Sequence, residues 1–424
     1  MLFASNTIQV QTRNKLFAIG LISVALTACG GGGSSSTTGS STSTGSGSTS
    51  TGSTSGTGST TTGSGTGSTT TPTNHSLYAV LGCFTGCTAG STVNAYSINS
   101  TTGAITATST TVALATTANA GELDVTPDGK FAYQNVDNGT NNVIYQYSVG
   151  ADGSLTALAT STLTTNFVGN SGQIIFDHAG KFALVFGKTS SGANVINSYA
   201  IGSTGSLSLA QTFPIATSVV PAINPVTGVL YLKDDNNHIV EYTTSATGAL
   251  SQVGTFAGTS IGQAALQTFT IDPTGKYLYL GYWSAPATSS SSAQSYIAEY
   301  TIATDGSLTP MSTPVVNVTG SINGLVIDVS GKYAYLANAD SSGGSSIAQF
   351  TIGSNGVLSP MAIPTVATNN FGYSISTVGN YVYFGDSHAN VTEYSIGATG
   401  ALASALVVNV SSSANMNINA LTTH

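Results

Sequence analysis

The sequence predicts an all-β protein, a seven-bladed β-propeller with four antiparallel strands in each blade. The first observation is an aromatic strand end followed by a Gly turn and an aliphatic residue. It recurs about every 50 residues, a period typical of propeller blades. The seven turn glycines are Gly103, Gly153, Gly205, Gly248, Gly306, Gly356 and Gly400. The second observation is that the segments between the turns are short and rich in Val, Ile, Tyr and Phe, with no sustained helical period.

The two ends of the repeat region predict how the ring closes. We name the strands of a blade A to D from the centre outward. The region begins at 75–82 with a segment that matches strand B, and it ends at 418–424 with one that matches strand A. The two termini should therefore complete one blade together, which removes an exposed edge. The propeller domain is predicted to span 75–424.

Residues 1–28 have the pattern of an export signal. Arg13 and Lys15 precede a short apolar run that ends at Leu26-Thr27-Ala28-Cys29. This Leu-x-Ala-Cys sequence resembles the lipobox of bacterial lipoproteins, which implies cleavage before Cys29 and a lipid on its thiol. Gly rather than Asp follows Cys29, and by the same resemblance this favours the outer membrane. An incidental Cys beside an ordinary cleavage site is the alternative.

Residues 29–74 are predicted to be a flexible linker. Positions 30–71 contain only Gly, Ser and Thr, which behave as a random coil. We expect a lipoprotein of the cell envelope, periplasmic or surface-facing, that reaches the membrane only through its lipid anchor. We expect it to be a monomer.

The charge pattern excludes nucleic acid as a partner. Only 6% of residues are charged, and the formal net charge is −8. After residue 28 the chain holds six Lys and no Arg, so it lacks a basic surface for phosphates. Four of these lysines follow the A–B turn glycine and belong to the repeat: Lys130, Lys181, Lys276 and Lys332.

Strand C carries a polar residue immediately before its aromatic residue in five blades. The residue is Gln146, Glu241, Glu299, Gln349 or Glu393. We expect these side chains to form a solvated outer face. Asp177, Asp272 and Asp328 precede the A–B turns, where they should bond to backbone amides.

The B–C and D–A loops vary from blade to blade and are expected to carry the function, because binding specificity is built on non-repeating loops. The candidate binding residues there are Asp137, Asp234, Asp235, Trp283, Asp340 and Asp386. Carboxylates on this rim favour neutral or cationic ligands, and Trp283 can stack on a sugar or simply pack. The oxygen-rich segment 234–237 is a candidate for Ca²⁺, and the preferred alternative is an ordinary polar hairpin loop. We predict no other cofactor and no metal site.

In the first complete blade, strand A includes 123–125 and is exceptional because Glu122 and Asp124 share one side of it. They are candidates for an acid–base pair, and the alternative is that they line a wet channel. Cys83 and Cys87 are expected to form a local disulfide in an exported protein.

The PDGKFAY (127–133) and DPTGKYLY (272–279) turns, with the repeated Tyr-Gly-Leu spacing, resemble the seven-bladed lactonase family named for 6-phosphogluconolactonase. The resemblance covers most of 75–424 and implies the fold more strongly than the activity. Family enzymes carry a His-rich stretch before the first such turn, whereas this chain has Gly121-Glu122-Leu123-Asp124 there.

Two functions therefore remain. The preferred one is a tethered binding module for a glycan, peptide or protein, acting through the variable face. The alternative is an extracytoplasmic lactonase-like hydrolase with a carboxylate site at Glu122 and Asp124.

Overall fold

The computed structural model describes residues 75–83, 91–114, 119–169, 172–215, 220–234, 236–258, 265–284, 294–339, 345–411 and 416–424. The described residues form twenty-eight β-strands in seven four-stranded antiparallel sheets, and no helix occurs among them. The same residues accordingly include no helix long and apolar enough to cross a membrane. The predicted seven-bladed propeller is confirmed.

The strands follow the chain in blade order. The closing blade contains β1 (His75–Cys83), β2 (Thr92–Ile98) and β3 (Ile105–Ala113). Blade one contains β4 (Asn119–Val125), β5 (Phe131–Asp137), β6 (Asn142–Val149) and β7 (Leu155–Thr164). Blade two contains β8 (Ile174–Phe176), β9 (Phe182–Lys188), β10 (Asn194–Ile201) and β11 (Leu207–Pro214). Blade three contains β12 (Pro221–Ile223), β13 (Leu230–Lys233), β14 (His238–Thr244) and β15 (Leu250–Ala257).

The remaining strands complete the ring. Blade four contains β16 (Ala265–Ile271), β17 (Tyr277–Ser284), β18 (Gln294–Ile302) and β19 (Leu308–Thr319). Blade five contains β20 (Ser321–Ile327), β21 (Tyr333–Ala339), β22 (Ser345–Ile352) and β23 (Leu358–Ala367). Blade six contains β24 (Gly372–Val378), β25 (Tyr381–Asp386), β26 (Asn390–Ile396) and β27 (Leu402–Asn409). The last strand, β28 (Met416–Thr423), pairs antiparallel with β1 as strand A of the closing blade, so the predicted closure is confirmed.

Adjacent blades are joined by a repeated tyrosine hydrogen bond. A buried tyrosine of strand B donates its hydroxyl proton to the carbonyl oxygen of the C–D turn glycine in the next blade. The six O···O distances lie between 2.6 and 3.0 Å, and the pairs are Tyr78–Gly153, Tyr133–Gly205, Tyr231–Gly306, Tyr279–Gly356, Tyr335–Gly400 and Tyr383–Gly103. The Tyr383 and Tyr78 bonds attach the closing blade to both neighbours.

The A–B turns confirm the role predicted for their aspartates. Asp272 is buried, and its Oδ1 accepts the backbone N–H groups of Lys276 and Tyr277 at 2.8 and 2.7 Å. Asp328 accepts the equivalent pair in blade five. A buried carboxylate is tolerated in these turns because several N–H donors compensate its lost hydration.

The strand-C residues predicted to form a solvated outer face are buried, so that prediction is wrong. Gln146, Glu299 and Gln349 have no exposed surface, and Glu241 and Glu393 are each 3% exposed. The reason lies in the architecture. The sheets of a propeller stand side by side around the ring, so both faces of each sheet are covered by a neighbouring blade.

Candidate functional site

The described aspartates of the B–C loops hold their own hairpins together. Asp137 and Asp386 are buried. Asp137 accepts the backbone N–H of Gly139 at 2.9 Å. Asp386 accepts backbone N–H groups from His388 and Asn390 through one oxygen, and the side-chain amides of Asn370 and Asn390 through the other. These carboxylates therefore have a structural role in their own turns.

Asp234 differs because it also meets a partly exposed imidazole. Its Oδ1 accepts the N–H of His238 at 2.7 Å, and its Oδ2 lies 3.0 Å from His238 Nδ1. The His238 side chain is 43% exposed and that of Asp234 is 18% exposed. This pair presents a titratable group to solvent in a fixed orientation on the variable rim.

The structure does not bring Trp283 to this pair. Tyr282 faces blade three, where the Lys233 Nζ lies 5.9 Å from its ring centroid. Successive side chains of a strand point to opposite faces. Trp283 therefore faces blade five and is separated from Asp234 by the sheet of blade four. The predicted rim residues thus do not converge on one site among the described residues.

Glu122 and Asp124 lie together on the inner strand of blade one. Leu123 between them packs with Tyr78 and Val80 of the closing blade, so both carboxylates lie on the opposite face, toward blade two. Both side chains are partly exposed. Among the described inner-strand residues, these two are the ones that carry charge.

The neighbouring strand adds two buried amides that the sequence analysis did not single out, Gln134 and Asn135. They are 0% and 1% exposed. Blades four to six have apolar or small residues at these register positions: Leu280 and Gly281, Leu336 and Ala337, and Phe384 and Gly385. Comparing strand-B columns between blades would have revealed the exception, because buried amides need specific partners.

Register places three of these polar residues on one face of the sheet, whereas Gln134 pairs with Leu123 and shares its face. Asp124 pairs with Tyr133, and the bulge between Ala120 and Leu123 sets Glu122 near Asn135. Directly opposed residues on one face have Cβ atoms about 4.5–5.5 Å apart. Glu122, Asp124 and Asn135 therefore form a polar cluster on the face that meets blade two, with Gln134 behind it.

The hydrogen bonds of the amides leave acceptors unused. Gln134 Nε2 donates to the Gly121 carbonyl oxygen at 3.0 Å, and Asn135 Nδ2 donates to that of Gly172 in blade two at 3.1 Å. Their own carbonyl oxygens are buried and receive no hydrogen bond from the described residues. Such atoms are costly unless a donor reaches them, so the Asn135 oxygen, on the face of Glu122 and Asp124, is suited to a hydroxyl-bearing ligand or water.

Several predicted residues lie outside the described residues. They are Cys29, Cys87, Asp235 and Asp340. Cys83 ends β1, but the pairing predicted for it involves Cys87 and stays a prediction. The Ca²⁺ candidate at 234–237 likewise includes Asp235. Within the described ranges, no three His, Cys, Asp or Glu side chains come close enough to hold a metal ion.

Comparison with known proteins finds a family of the same fold. The model of the family described as "Lactonase, 7-bladed beta-propeller" matches residues 83–221, which include all of blades one and two. No curated protein sequence matches the chain. The resemblance to a seven-bladed lactonase family, predicted from the turn motifs, is confirmed for this part of the chain.

Solved structures agree on the fold. A proposed 6-phosphogluconolactonase from Bacteroides fragilis is 16% identical with a TM-score of 0.65, covering 84% of this chain and 99% of that one. A similar protein from Bacteroides uniformis is 16% identical with a TM-score of 0.65, covering 83% and 99%. The periplasmic gluconolactonase of Pseudomonas aeruginosa is 13% identical with a TM-score of 0.59, covering 81% and 98%. At these identities the likeness concerns the fold.

Proposed function

We propose that the protein is a lactonase-like hydrolase that acts on uncharged sugar lactones at the polar cluster of blade one. The observation that carries this proposal is that the polar cluster lies within the segment that matches the family. The segment that matches the lactonase family contains the blade whose inner strands carry Glu122, Asp124 and Asn135. This proposal replaces a binding module as the preferred function.

The cluster contains the groups that lactone hydrolysis needs. Water adds to the lactone carbonyl carbon, the ring C–O bond breaks, and the ring oxygen takes a proton, which yields a hydroxy acid. One carboxylate of the Glu122/Asp124 pair accepts the proton of the attacking water. The other, in its protonated form, supplies a proton to the leaving oxygen. The buried carbonyl oxygen of Asn135, on the same face of the sheet as the two carboxylates, suits a substrate hydroxyl group.

Charge defines the substrate class. The chain has no Arg after Arg13, and four lysines sit at the A–B turns, on the face opposite the variable loops. Two carboxylates repel a phosphorylated substrate, and no cationic side chain occurs among the described residues of strands A and B in blade one. An unphosphorylated lactone is therefore favoured.

The test is hydrolysis of gluconolactone and of 6-phosphogluconolactone by the full chain in detergent, with the spontaneous rate subtracted. We expect turnover of the uncharged lactone only. Glu122→Gln and Asp124→Asn should each reduce that rate at least about 100-fold, the usual contribution of a general acid or base. The matched control is Asp152→Asn, an exposed C–D turn carboxylate of the same blade. Parent-like rates in both variants, or preference for the phosphorylated lactone, would refute the proposal.

One observation favours a binding function as second candidate. The Asp234–His238 pair offers an oriented, partly exposed imidazole on the non-repeating face. A glycan, peptide or protein docking there would use this rim instead of blade one. Absence of lactone turnover in the parent protein would leave this candidate in place.

We also propose that the protein is an outer-membrane lipoprotein anchored through Cys29. The lipobox-like sequence 26–29 and the linker that follows support this. Cys29→Ala should move the protein from the membrane fraction to the soluble fraction or leave the leader uncleaved, because the thiol is the lipid attachment point. The measurement is fractionation with mass determination of the mature N-terminus. A Cys29→Ala protein that sediments with membranes as the parent does would contradict the anchor.

A further inference from the structure

One position of strand C forms a repeated link between blades, and its glutamine version shows the geometry. Gln146 Oε1 accepts the N–H of Leu207 in the next blade at 2.8 Å, while its Nε2 donates to the Thr160 carbonyl oxygen at 2.7 Å. Gln349 accepts from Leu402 at 2.7 Å and donates to Ile363 at 2.9 Å. The strand-C side chain therefore has to accept a hydrogen bond from the next blade and donate one to strand D of its own blade.

Blade four has the same backbone geometry. Thr160 and Ile363 are each the third residue of a four-residue irregularity in strand D, at 158–161 and 361–364. Strand D of blade four carries the same irregularity at 311–314, and its third residue is Thr313. The Thr313 carbonyl oxygen therefore takes the place of the two oxygens that receive a side-chain proton in blades one and five.

In blade four the side chain at this link is Glu299. It is 0% exposed, and its Oε1 accepts the N–H of Leu358 in blade five at 2.8 Å. Its Oε2 is buried and receives no hydrogen bond from the described residues. An ionised carboxylate has no proton to donate, whereas a carboxylic acid has one. An ionised Glu299 would therefore set an oxygen lone pair against a carbonyl oxygen in a buried interface.

We propose that Glu299 is held as a neutral carboxylic acid that accepts from Leu358 and donates to the Thr313 carbonyl, and that its ionisation loosens the interface between blades four and five. The acid then reproduces both hydrogen bonds of the glutamine link. Loss of its proton removes one bond and leaves a buried charge with no compensating cation among the described residues, which is strongly unfavourable. The interface is in this way a pH-sensitive joint.

Among the described residues around Glu299, none carries a positive charge that would compensate an ionised carboxylate. Tyr277 and Tyr279 face it from β17, and Tyr279 already donates its proton to Gly356. Neither β19, the turn 353–357 nor β23 has a charged residue. Burial raises the pKa of Glu299 to about 7, and the Leu358 N–H lowers it in part.

The direction of the pH effect follows from the raised pKa. A carboxyl group whose pKa is higher in the folded than in the unfolded state gives its full stabilisation at acidic pH. That stabilisation is lost as the pH rises through about 7. Burial also raises the pKa values of Glu241 and Glu393. The stability of the two interfaces that contain them should therefore also decrease as the pH rises.

The experiment compares thermal unfolding of the full chain at about pH 5 and about pH 8, a range that brackets the transition. Between these two pH values, the melting temperature of the parent should fall by at least about 5 °C more than that of Glu299→Gln. This variant carries the same amide side chain as blades one and five. The matched gain-of-function variant is Gln349→Glu. Its melting temperature should fall more than that of the parent when the pH is raised. Infrared spectra of the parent should show the carbonyl stretch of a protonated acid that disappears at alkaline pH and is weaker in Glu299→Gln. Parallel melting profiles for the parent and Glu299→Gln, or an unchanged infrared band, would overturn the proposal.

Discussion

Removing residues 416–424 is expected to abolish cooperative folding of the propeller. This segment contains β28, the inner strand of the closing blade. It contributes Met416, Ile418 and Leu421 to one hydrophobic cluster, and each is at most 3% exposed. Truncating one buried residue of this size costs about 2–5 kcal/mol. Three such losses approach the total stability of a typical domain, about 5–15 kcal/mol, before the lost strand pairing is counted.

The control for this deletion is a permuted chain. The backbones of Ser76 and His424 exchange two hydrogen bonds at 2.9 and 3.0 Å, so the end of β28 lies beside the start of β1. Placing 416–424 before His75 through a copy of the 328–332 turn would create an ordinary A–B hairpin. We expect the permuted chain to melt within a few degrees of the parent by circular dichroism, since only chain connectivity changes. A truncated protein that melts cooperatively at the parent temperature would contradict the closure argument.

The fold could be predicted from the sequence because the repeat records a backbone requirement. The C–D turn glycines adopt positive φ, for example +75° at Gly103 and +85° at Gly356. Glycine is the residue that adopts this conformation without strain. The aromatic residues before these turns lie in strand C and pack between blades, as Tyr300 and Phe350 do. Each marker therefore reports one turn or strand, and counting the markers counts the blades.

The interface glutamates could not be placed in the same way. The alternation of side chains along β18 predicts that Glu299 and Tyr300 point to opposite faces of the sheet. Of two such faces, an acidic residue usually occupies the solvated one. In this ring neither face is solvated, because another blade covers each of them. The environment of Glu299 depends on Leu358, which lies 59 residues away in the next blade.

The candidate site was only partly predictable for a related reason. Glu122 and Asp124 stand out by charge within one strand, whereas Gln134 and Asn135 stand out only when equivalent positions of several blades are compared. The role of the B–C aspartates is ambiguous from the sequence because turn stabilisation and ligand binding select the same residue type. The hydrogen bonds of Asp386 distinguish the two roles.

Gly103→Ala is expected to destabilise the protein by about 3 kcal/mol or more, through both backbone strain and overlap at the ring-closing interface. Gly103 has φ +75°, and an added Cβ would overlap the ring of Tyr381 and the carboxyl group of Glu393 in blade six. Its carbonyl oxygen also accepts the Tyr383 hydroxyl at 2.6 Å.

The matched control is Gly139→Ala. Gly139 has φ +88° with no atom within 4 Å of an added Cβ, so it carries the conformational cost alone, about 1–2 kcal/mol. Urea unfolding of both variants measures the difference, and equal losses would show that packing against blade six is not what position 103 requires.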